Sequence, residues 1–205
     1  MAVQPFVRLE GVAAPLPEDN IDTDIIYPAR FLLITAREGL GRYAFHDRRV
    51  DCGGQVTGQF ILDKTPWQGA PILISGANFG CGSSREQAVW ALLGAGIRCV
   101  IATGFGEIFE SNCVRNGILP VTLNSAAIAP LLKVAEAGGH LTVDLEQLCI
   151  TGSDGMIQTF AIREERRQAL LNGWDDTDLI LHQWGEAIDR FETRQQRVQP
   201  WLYRR

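Results

Sequence analysis

Short apolar runs alternate with longer amphipathic segments through the middle of the chain. The runs at 71–75, 99–102 and 119–122 have the length and composition of buried strands. Between them, residues 87–93 and 106–116 place apolar side chains at helical spacing. Strands that alternate with helices in this way favour strand–helix–strand units, whose strands pair in parallel. The pattern therefore predicts an α/β fold.

Weaker patterns on either side extend this prediction. In the N-terminal part we expect a strand at 6–10, the start of a loop at 14–17, and short helices near 28–34 and 37–45. In the C-terminal part we expect a helix at about 125–137, strands near 141–144, 148–151 and 156–162, and an amphipathic helix that carries Trp184, Ile188 and Phe191. The length of 205 residues and the absence of a low-complexity linker predict a single domain over 1–205, with a helical extension from about residue 163.

Composition narrows the class of function. The net charge is −5 and no run of basic residues occurs, which argues against a nucleic-acid partner. No apolar run approaches the roughly 20 residues needed to cross a membrane. The first residues lack the charged start and apolar core of a signal peptide. We therefore expect a cytoplasmic protein without a membrane partner.

The cysteines and histidines do not form a recognisable metal motif. No C-x-x-C pair occurs, and the three histidines are scattered and are expected to be structural or exposed. The five widely spread cysteines are Cys52, Cys81, Cys99, Cys113 and Cys149. We expect that this chain by itself binds no metal.

Residues 76–86 are the most informative segment, a glycine-dense turn between a predicted strand and a predicted helix. Its glycines permit positive φ angles and bring backbone N–H groups close to a ligand. The helix N-terminus adds partial positive charge, and Arg85 adds a full one. Both Ser83-x-x-Glu86 and Ser84-x-x-Gln87 fit the capping-box pattern, so the helix should begin within one residue of the serines. Such a corner suits a small carboxylate or phosphate.

That geometry alone leaves the chemistry open. Residues 80–85 begin like the dinucleotide fingerprint G-x-G-x-x-G, but Arg85 stands where the third glycine belongs. The segment is not a P-loop, because no G-K-[ST] follows. A tight turn whose serines only cap the helix accounts for the same residues.

Three ordered stretches resemble one family. Residues 20–32 begin Asn-Ile-Asp-Thr-Asp, residues 78–86 read Asn-Phe-Gly-Cys-Gly-Ser-Ser-Arg-Glu, and residues 101–120 end in Asn-Gly-Ile-Leu-Pro. They match, in the same order, the motifs of the small, swivelling subunits of 3-isopropylmalate dehydratases, in the aconitase superfamily. Residues 171–176 and 200–202 are also similar. The resemblance thus covers nearly the whole chain.

The resemblance implies a swivelling β/β/α domain of the aconitase C-terminal type. It implies a hydro-lyase that interconverts 2-isopropylmalate and 3-isopropylmalate, in leucine biosynthesis, by dehydration and rehydration. In that superfamily an exposed iron of a [4Fe-4S] cluster binds the departing hydroxyl. Because this chain lacks plausible cluster ligands, the implied partner is a large subunit that carries the cluster, in a heterodimer or heterotetramer. The implied substrate is a small hydroxy-dicarboxylate.

The family's functional residues fall on particular positions of this chain. The match places the catalytic base, a serine alkoxide, at Ser83, and contacts to a substrate carboxylate at Ser84 and Arg85. Arg30 is a candidate second carboxylate anchor, with a surface ion pair as the alternative. The remaining candidates are Leu32 and Leu33, which line a pocket for the isopropyl group or belong to the core, and the site-supporting Asp22, Thr23, Asp24, Gly80, Cys81 and Gly82. The residues 22–24 equally fit a hydrogen-bonded turn.

The chain departs from the family pattern near the site. Gln87 and Val89 stand where a histidine and a proline are common, and Gly104-Phe105-Gly106-Glu107 replaces Ser-Phe-Ala-Asp. Ser83 and Arg85 are untouched by these changes. Two alternatives therefore stay open: a paralogous dehydratase for another malate, such as citramalate or dimethylmalate, and a non-catalytic binding module with the same fold.

Overall fold

The structure, a computed structural model, describes residues 3–203 and is built around one seven-stranded sheet. The strands are β1 (Arg8–Leu16), β2 (Ile72–Ser75), β3 (Cys99–Ala102), β4 (Leu119–Thr122), β5 (His140–Asp144), β6 (Cys149–Gly152) and β7 (Ile157–Thr159). The α-helices are α1 (Thr23–Ile26), α2 (His46–Arg49), α3 (Glu86–Gly94), α4 (Glu107–Arg115), α5 (Ser125–Glu136), α6 (Glu164–Asn172) and α7 (Asp176–Val198). Short 3-10 helices occur at Ala29–Phe31, Leu40–Tyr43, Ile61–Asp63 and Pro200–Tyr203.

Strand β1 lies at the centre of the sheet, whose strand order is β4-β3-β2-β1-β5-β6-β7. On one side β1, β2, β3 and β4 pair in parallel, and on the other side β1, β5, β6 and β7 pair antiparallel. Helix α3 connects β2 to β3, and α4 connects β3 to β4. The predicted α/β fold and its parallel strand–helix–strand units are confirmed.

Both faces of the parallel half of the sheet are covered by apolar side chains. Along β2, Leu73 belongs to a core cluster on one face, while Ile72 and Ile74 belong to a second cluster on the other face. Helix α3 contributes Leu92 to the first cluster, and α5 contributes Leu131 to the second. Strands buried on both faces are continuously apolar, which explains the short runs in the sequence.

One prediction near the N-terminus was wrong. Residues 14–17 were expected to begin a loop, but β1 continues to Leu16. Ala13 and Ala14 are fully buried, and residues 13–16 pair with β2. Burial between two core clusters thus outweighs the preference of Pro15 for a turn. The two short helices expected at 28–34 and 37–45 are present as 3-10 helices of three and four residues.

Two helices follow the sheet at the C-terminus. Helix α6 packs near α4, where Arg166 forms an ion pair with Glu110 at 2.7 Å. Helix α7 begins with a capping box formed by Asp175 and Asp178, and none of its 23 residues is buried. Within residues 3–203, no helix combines the length and the apolar character that a membrane span requires. The division of the chain at about residue 163 stays a prediction.

Candidate active site

The second and third sequence motifs meet at the carboxyl ends of β2 and β3. The N–H of Phe79 donates to the carbonyl of Gly104 at 2.9 Å, and the N–H of Gly106 donates to the carbonyl of Phe79 at 2.9 Å. The Phe79 ring stacks edge-on against Phe109 of α4, with centroids 5.5 Å apart. Because parallel strands end at the same edge of a sheet, the two loops that follow them lie side by side.

The first motif joins the same turn from a distant part of the chain. The N–H of Gly80 donates to the carbonyl of Ile21 at 2.7 Å, and the N–H of Thr23 donates to the carbonyl of Cys81 at 2.9 Å. The side chains of Asn78 and Asn20 bond at 2.9 Å. All three motifs that the sequence singled out therefore converge on one corner of the molecule.

Gly80 is required where the turn packs against α4. Its φ is +72°, and a β-carbon at this position would overlap the ring of Phe109. Gly82 also has a positive φ, of +92°, while Cys81 between them is half-buried. The glycines thus let the backbone pass close to α4 and turn toward the start of α3.

The two serines lie on the exposed side of this turn, just before α3. The residue at the N-cap position of α3 is Arg85, in an extended conformation, and the helix begins at Glu86. The helix was expected to begin within one residue of the serines, but it begins two residues after Ser84, and neither serine occupies the capping position. Ser84 precedes the capping residue by one position and Ser83 by two, so both exposed serines lie just before the N-terminus of α3.

Thr23 positions the turn from beneath. Its hydroxyl donates to the carbonyl of Ser83 at 2.9 Å, and its side chain is almost completely buried. Asp22 caps α1 by accepting from the N–H of Ile25 at 2.7 Å. The Asp-Thr-Asp segment is therefore a hydrogen-bonded turn, and that turn also supports the backbone of Ser83.

The guanidinium of Arg85 forms an ion pair with Asp24. The Nη1 of Arg85 donates to Oδ1 of Asp24, and the Arg85 side chain is only 12% exposed. Asp24 also accepts from the N–H of Ala29 at 3.1 Å. The bond from Arg85, and secondarily the one from Ala29, lowers the pKa of Asp24 below its ordinary value. Asp24 thus stays ionised and fixes the guanidinium.

Arg30 has a similar partner that the sequence did not reveal. Its guanidinium bonds Asp47 through both nitrogens, with Nη1 2.9 Å from Oδ2. The hydrogen bond from Arg30 lowers the pKa of Asp47 to about 2. His46 Nδ1 lies 3.0 Å from Nη2 of Arg30, and its ring packs on Phe31. Both halves of the Arg30–Asp47 pair are about half-exposed.

The two arginine–carboxylate pairs flank a common depression. A cavity of about 310 Å³ is lined by Asp22, Asp24, Ile25, Asp47 and Arg48. Arg48 is paired with Glu18 at 2.7 Å. The depression lies between α1 and α2, beside the turn that carries Ser83. Its charged groups could not be assembled from the sequence, because Asp47 and Arg48 lie outside every motif.

The two leucine candidates, Leu32 and Leu33, differ in their exposure to solvent. Leu32 is half-buried and packs against the first core cluster, whereas Leu33 is 92% exposed. Leu33 therefore does not belong to the core, and its side chain is free to contact a molecule outside this chain.

The cysteines do not assemble into a ligand set. Cys99 and Cys113 are buried in the core, and burial raises the pKa of both thiols well above the ordinary value. Over residues 3–203, no three His, Cys, Asp or Glu side chains are grouped so that they could hold a metal ion.

Comparison with known proteins identifies the family. Residues 3–126 match the family described as the aconitase C-terminal domain, and residues 183–205 match the C-terminal domain of 3-isopropylmalate dehydratase small subunits. The chain is 49% identical to the 3-isopropylmalate dehydratase small subunit of Rhizobium etli, over 96% of this chain and 98% of that protein. It is 50% identical to the one from Rhodospirillum rubrum, over 98% and 97%.

A solved structure supports the same assignment. The crystal structure of 3-isopropylmalate dehydratase from Methanocaldococcus jannaschii superposes with a TM-score of 0.65 at 26% identity. The alignment covers 90% of this chain and 99% of that one. The predicted fold of the aconitase C-terminal type is confirmed. This chain belongs to the family of 3-isopropylmalate dehydratase small subunits.

Proposed function

We propose that Ser83 is the base in the hydro-lyase reaction of this family, the interconversion of 2-isopropylmalate and 3-isopropylmalate in leucine biosynthesis. The observation that supports this most is the position of Ser83. It lies two residues before Arg85, the capping residue of α3, on a turn whose backbone is tied to Thr23 and Ile21. The resemblance of residues 78–86 to the family motif implies the same role for this residue.

The reaction requires a proton to leave a carbon next to a carboxylate while a hydroxyl leaves the neighbouring carbon. A serine hydroxyl is far too weak an acid to ionise unaided near neutral pH. The partial positive charge of the α3 N-terminus and the full charge of Arg85 both favour its alkoxide. Rehydration in the opposite orientation returns the proton from Ser83 to the other carbon.

Three further residues bind the carboxylates of the substrate in this proposal. Arg85, fixed by Asp24, grips one carboxylate, and Ser84 contributes a hydrogen bond to it. Arg30, fixed by Asp47, is the anchor for the second carboxylate. Leu33, which is exposed three residues after Arg30, contacts the isopropyl group, and Leu32 supports it from the core side.

The iron–sulfur cluster of this superfamily belongs, in our proposal, to a partner large subunit. The residues of this chain do not fit such a group, since Cys99 and Cys113 are buried in the core and no three His, Cys, Asp or Glu side chains within residues 3–203 are grouped to hold a metal ion. When bound to the partner, the cluster supplies a Lewis acid for the departing hydroxyl. This chain supplies the base and the carboxylate anchors.

Two of the departures from the family pattern, Val89 and Gln87, lie outside this machinery. Val89 is fully buried in the first core cluster, on the side of α3 that faces the sheet. Gln87 follows Arg85 within the first turn of α3 and is half-buried. Neither position removes a group that the proposed mechanism uses, so the loss of a histidine and a proline does not favour a non-catalytic module.

The test uses the chain reconstituted with the large subunit from the same genome. We expect turnover of isopropylmalate by the pair and none by this chain alone. Ser83→Ala should lower kcat by about 10²–10⁴-fold with little change in KM, because it removes a positioned base. Ser125→Ala, at the exposed first residue of α5, is the matched control and should retain activity.

Two results decide which residue is the base and which malate is the substrate. A near-normal kcat for Ser83→Ala would show that the base lies elsewhere. Comparing kcat/KM for isopropylmalate, citramalate and dimethylmalate identifies the substrate, because each methylene changes discrimination by about 1–3 kcal/mol. If Leu33→Ala leaves that selectivity unchanged, Leu33 is not part of the pocket.

A further inference from the structure

Helix α7 carries an apolar stripe that the described part of the chain leaves exposed. Ile180, Leu181, Trp184, Phe191 and Val198 are each between 53% and 61% exposed. A helix in a globular protein gains most of its stability by packing an apolar face against other residues. A 23-residue helix without a buried residue therefore lacks its main source of stability in the isolated chain.

The spacing of the stripe is that of a helix that packs against a groove. Leu181, Trp184, Ile188 and Phe191 alternate at intervals of three, four and three residues, and Val198 continues the series one heptad after Phe191. At 1.5 Å per residue the helix is about 34 Å long. When an amphipathic helix binds in a groove of another protein, large apolar side chains spaced three and four residues apart serve as its anchors.

Among residues 3–203, the specific contacts that tie α7 to the rest of the domain lie near the start of the helix. Asp176 pairs with Arg115 at 2.9 Å, the ring of His182 packs on Trp174, and Leu179 contacts the second core cluster. At the far end, the hydroxyl of Tyr203 bonds the side chain of Gln195. The adjoining Trp201 and Leu202 are 63% and 58% exposed, so they extend the apolar surface beyond the helix.

We propose that α7 docks in an apolar groove of the large subunit and holds the two chains together. This inference rests on the proposed function, which requires such a partner. Residues 3–126 match the aconitase C-terminal domain, and the relative from Rhizobium etli, matched over 98% of its length, is named a small subunit. A separate chain needs contacts that replace the covalent link. The apolar stripe lies largely in 183–205, the segment that matches a domain of the dehydratase small subunit.

The charges on α7 define the groove further. Asp175 and Asp178 at the start of the helix form its capping box, and Asp176 pairs with Arg115. The last third of the helix carries Arg194 and Arg197 together with Glu192. The complementary groove is apolar along its floor and acidic near the end of α7, where two arginines outnumber one glutamate. Such a pattern fixes the direction in which the helix lies.

The test is the affinity of the full chain for the large subunit. Trp184→Ser combined with Phe191→Ser should raise Kd at least about 100-fold, since buried aromatic anchors dominate interfaces of this kind. Both residues are exposed in the free chain, so the variant should keep its fold. Glu186→Ser combined with Gln196→Ser, on the opposite side of α7, is the control and should change Kd less than about threefold.

Activity separates this inference from the proposed function. At saturating large subunit, the Trp184/Phe191 variant should keep the kcat of the natural chain, because α7 holds the chains and does not touch substrate. An unchanged Kd overturns the inference, as does failure of the natural chain to bind the large subunit. It is equally overturned if sedimentation shows that the substitutions abolish only self-association of the small subunit. A tight complex without dehydratase activity would instead refute the proposed function and leave the docking result intact.

Discussion

Replacing Thr23 by valine tests whether the turn that carries Ser83 is positioned from beneath. The Thr23 hydroxyl donates to the carbonyl of Ser83 at 2.9 Å, and Thr23 is 2% exposed. Valine has nearly the same shape but cannot donate this bond. The second tie, from the N–H of Thr23 to Cys81, involves the backbone and survives the substitution. The change therefore removes one hydrogen bond and leaves the packing nearly intact.

The magnitude follows from the surroundings of the two groups. A hydrogen bond contributes about 0.5–1.5 kcal/mol net, and an unsatisfied buried partner costs about 1–3 kcal/mol. Ser83 itself is exposed, so water can reach the turn and replace part of the bond. We therefore expect a loss of about 1–2 kcal/mol, which corresponds to a fall in Tm of about 2–8 °C for a chain of this size. A displaced Ser83 should lower kcat by roughly 10–100-fold.

The control is Thr23→Ser, which keeps the hydroxyl and loses only a buried methyl group. That loss costs about 1 kcal/mol, so the two variants should have similar Tm values. Their kcat values should differ, because only serine retains the bond to the Ser83 carbonyl. Thermal unfolding of the chain and turnover by the reconstituted pair give both quantities. Equal kcat values for the two variants would refute the positioning role of Thr23.

Two further predictions concern the glycine turn and the Arg30 anchor. Gly80→Ala should destabilise the chain by about 2–4 kcal/mol in chemical denaturation, because the alanine β-carbon would overlap Phe109 at a positive φ. The control is Gly54→Ala, which is also at a positive φ but in open space and should cost only about 1 kcal/mol. Equal losses of stability in the two variants would contradict the overlap. Asp47 has a folded pKa of about 2 against 3.8 unfolded, so its contribution to stability is present above pH 4 and is lost as the pH falls through 2. The difference in unfolding free energy between the natural chain and Asp47→Asn should therefore shrink between pH 4 and pH 2, and a constant difference would show that the Arg30–Asp47 pair does not stabilise the fold.

The elements around the site were predictable because their cause is local. Strands β3 and β4 begin and end where the apolar runs do, since each strand is buried on both faces. Helix α3, which follows the glycine turn, was likewise predictable, because its apolar side chains recur at helical spacing. The path of β1 was not predictable, since Pro15 signals a turn, and only pairing with β2 and β5 overrides that signal.

The residues of the site were predictable from the sequence motifs, but the hydrogen bonds and ion pairs between them were not. The order of the motifs along the chain identified Ser83 and Arg85, yet no local pattern shows that Asp47 is the partner of Arg30, 17 residues away. The same limit applies to the capping box, which both serines fit in sequence. The glycine turn extends the chain past them, and only its three-dimensional path shows that Arg85 occupies the capping position.

The arginine–carboxylate pairs resolve a conflict between the charge of this chain and that of its proposed substrate. A net charge of −5 repels a dicarboxylate, so the attraction must come from local groups. Free arginines would meet that need but would sample many rotamers, and ordering them on binding costs about 0.5–1.5 kcal/mol each. Asp24 and Asp47 remove that cost by fixing Arg85 and Arg30 before substrate arrives, at the expense of part of the positive field. The two ion pairs thus reduce the electrostatic attraction of the substrate but fix the positions of the arginines. Fixed positions suit a reaction whose rate depends on how accurately a substrate carbon is held beside Ser83.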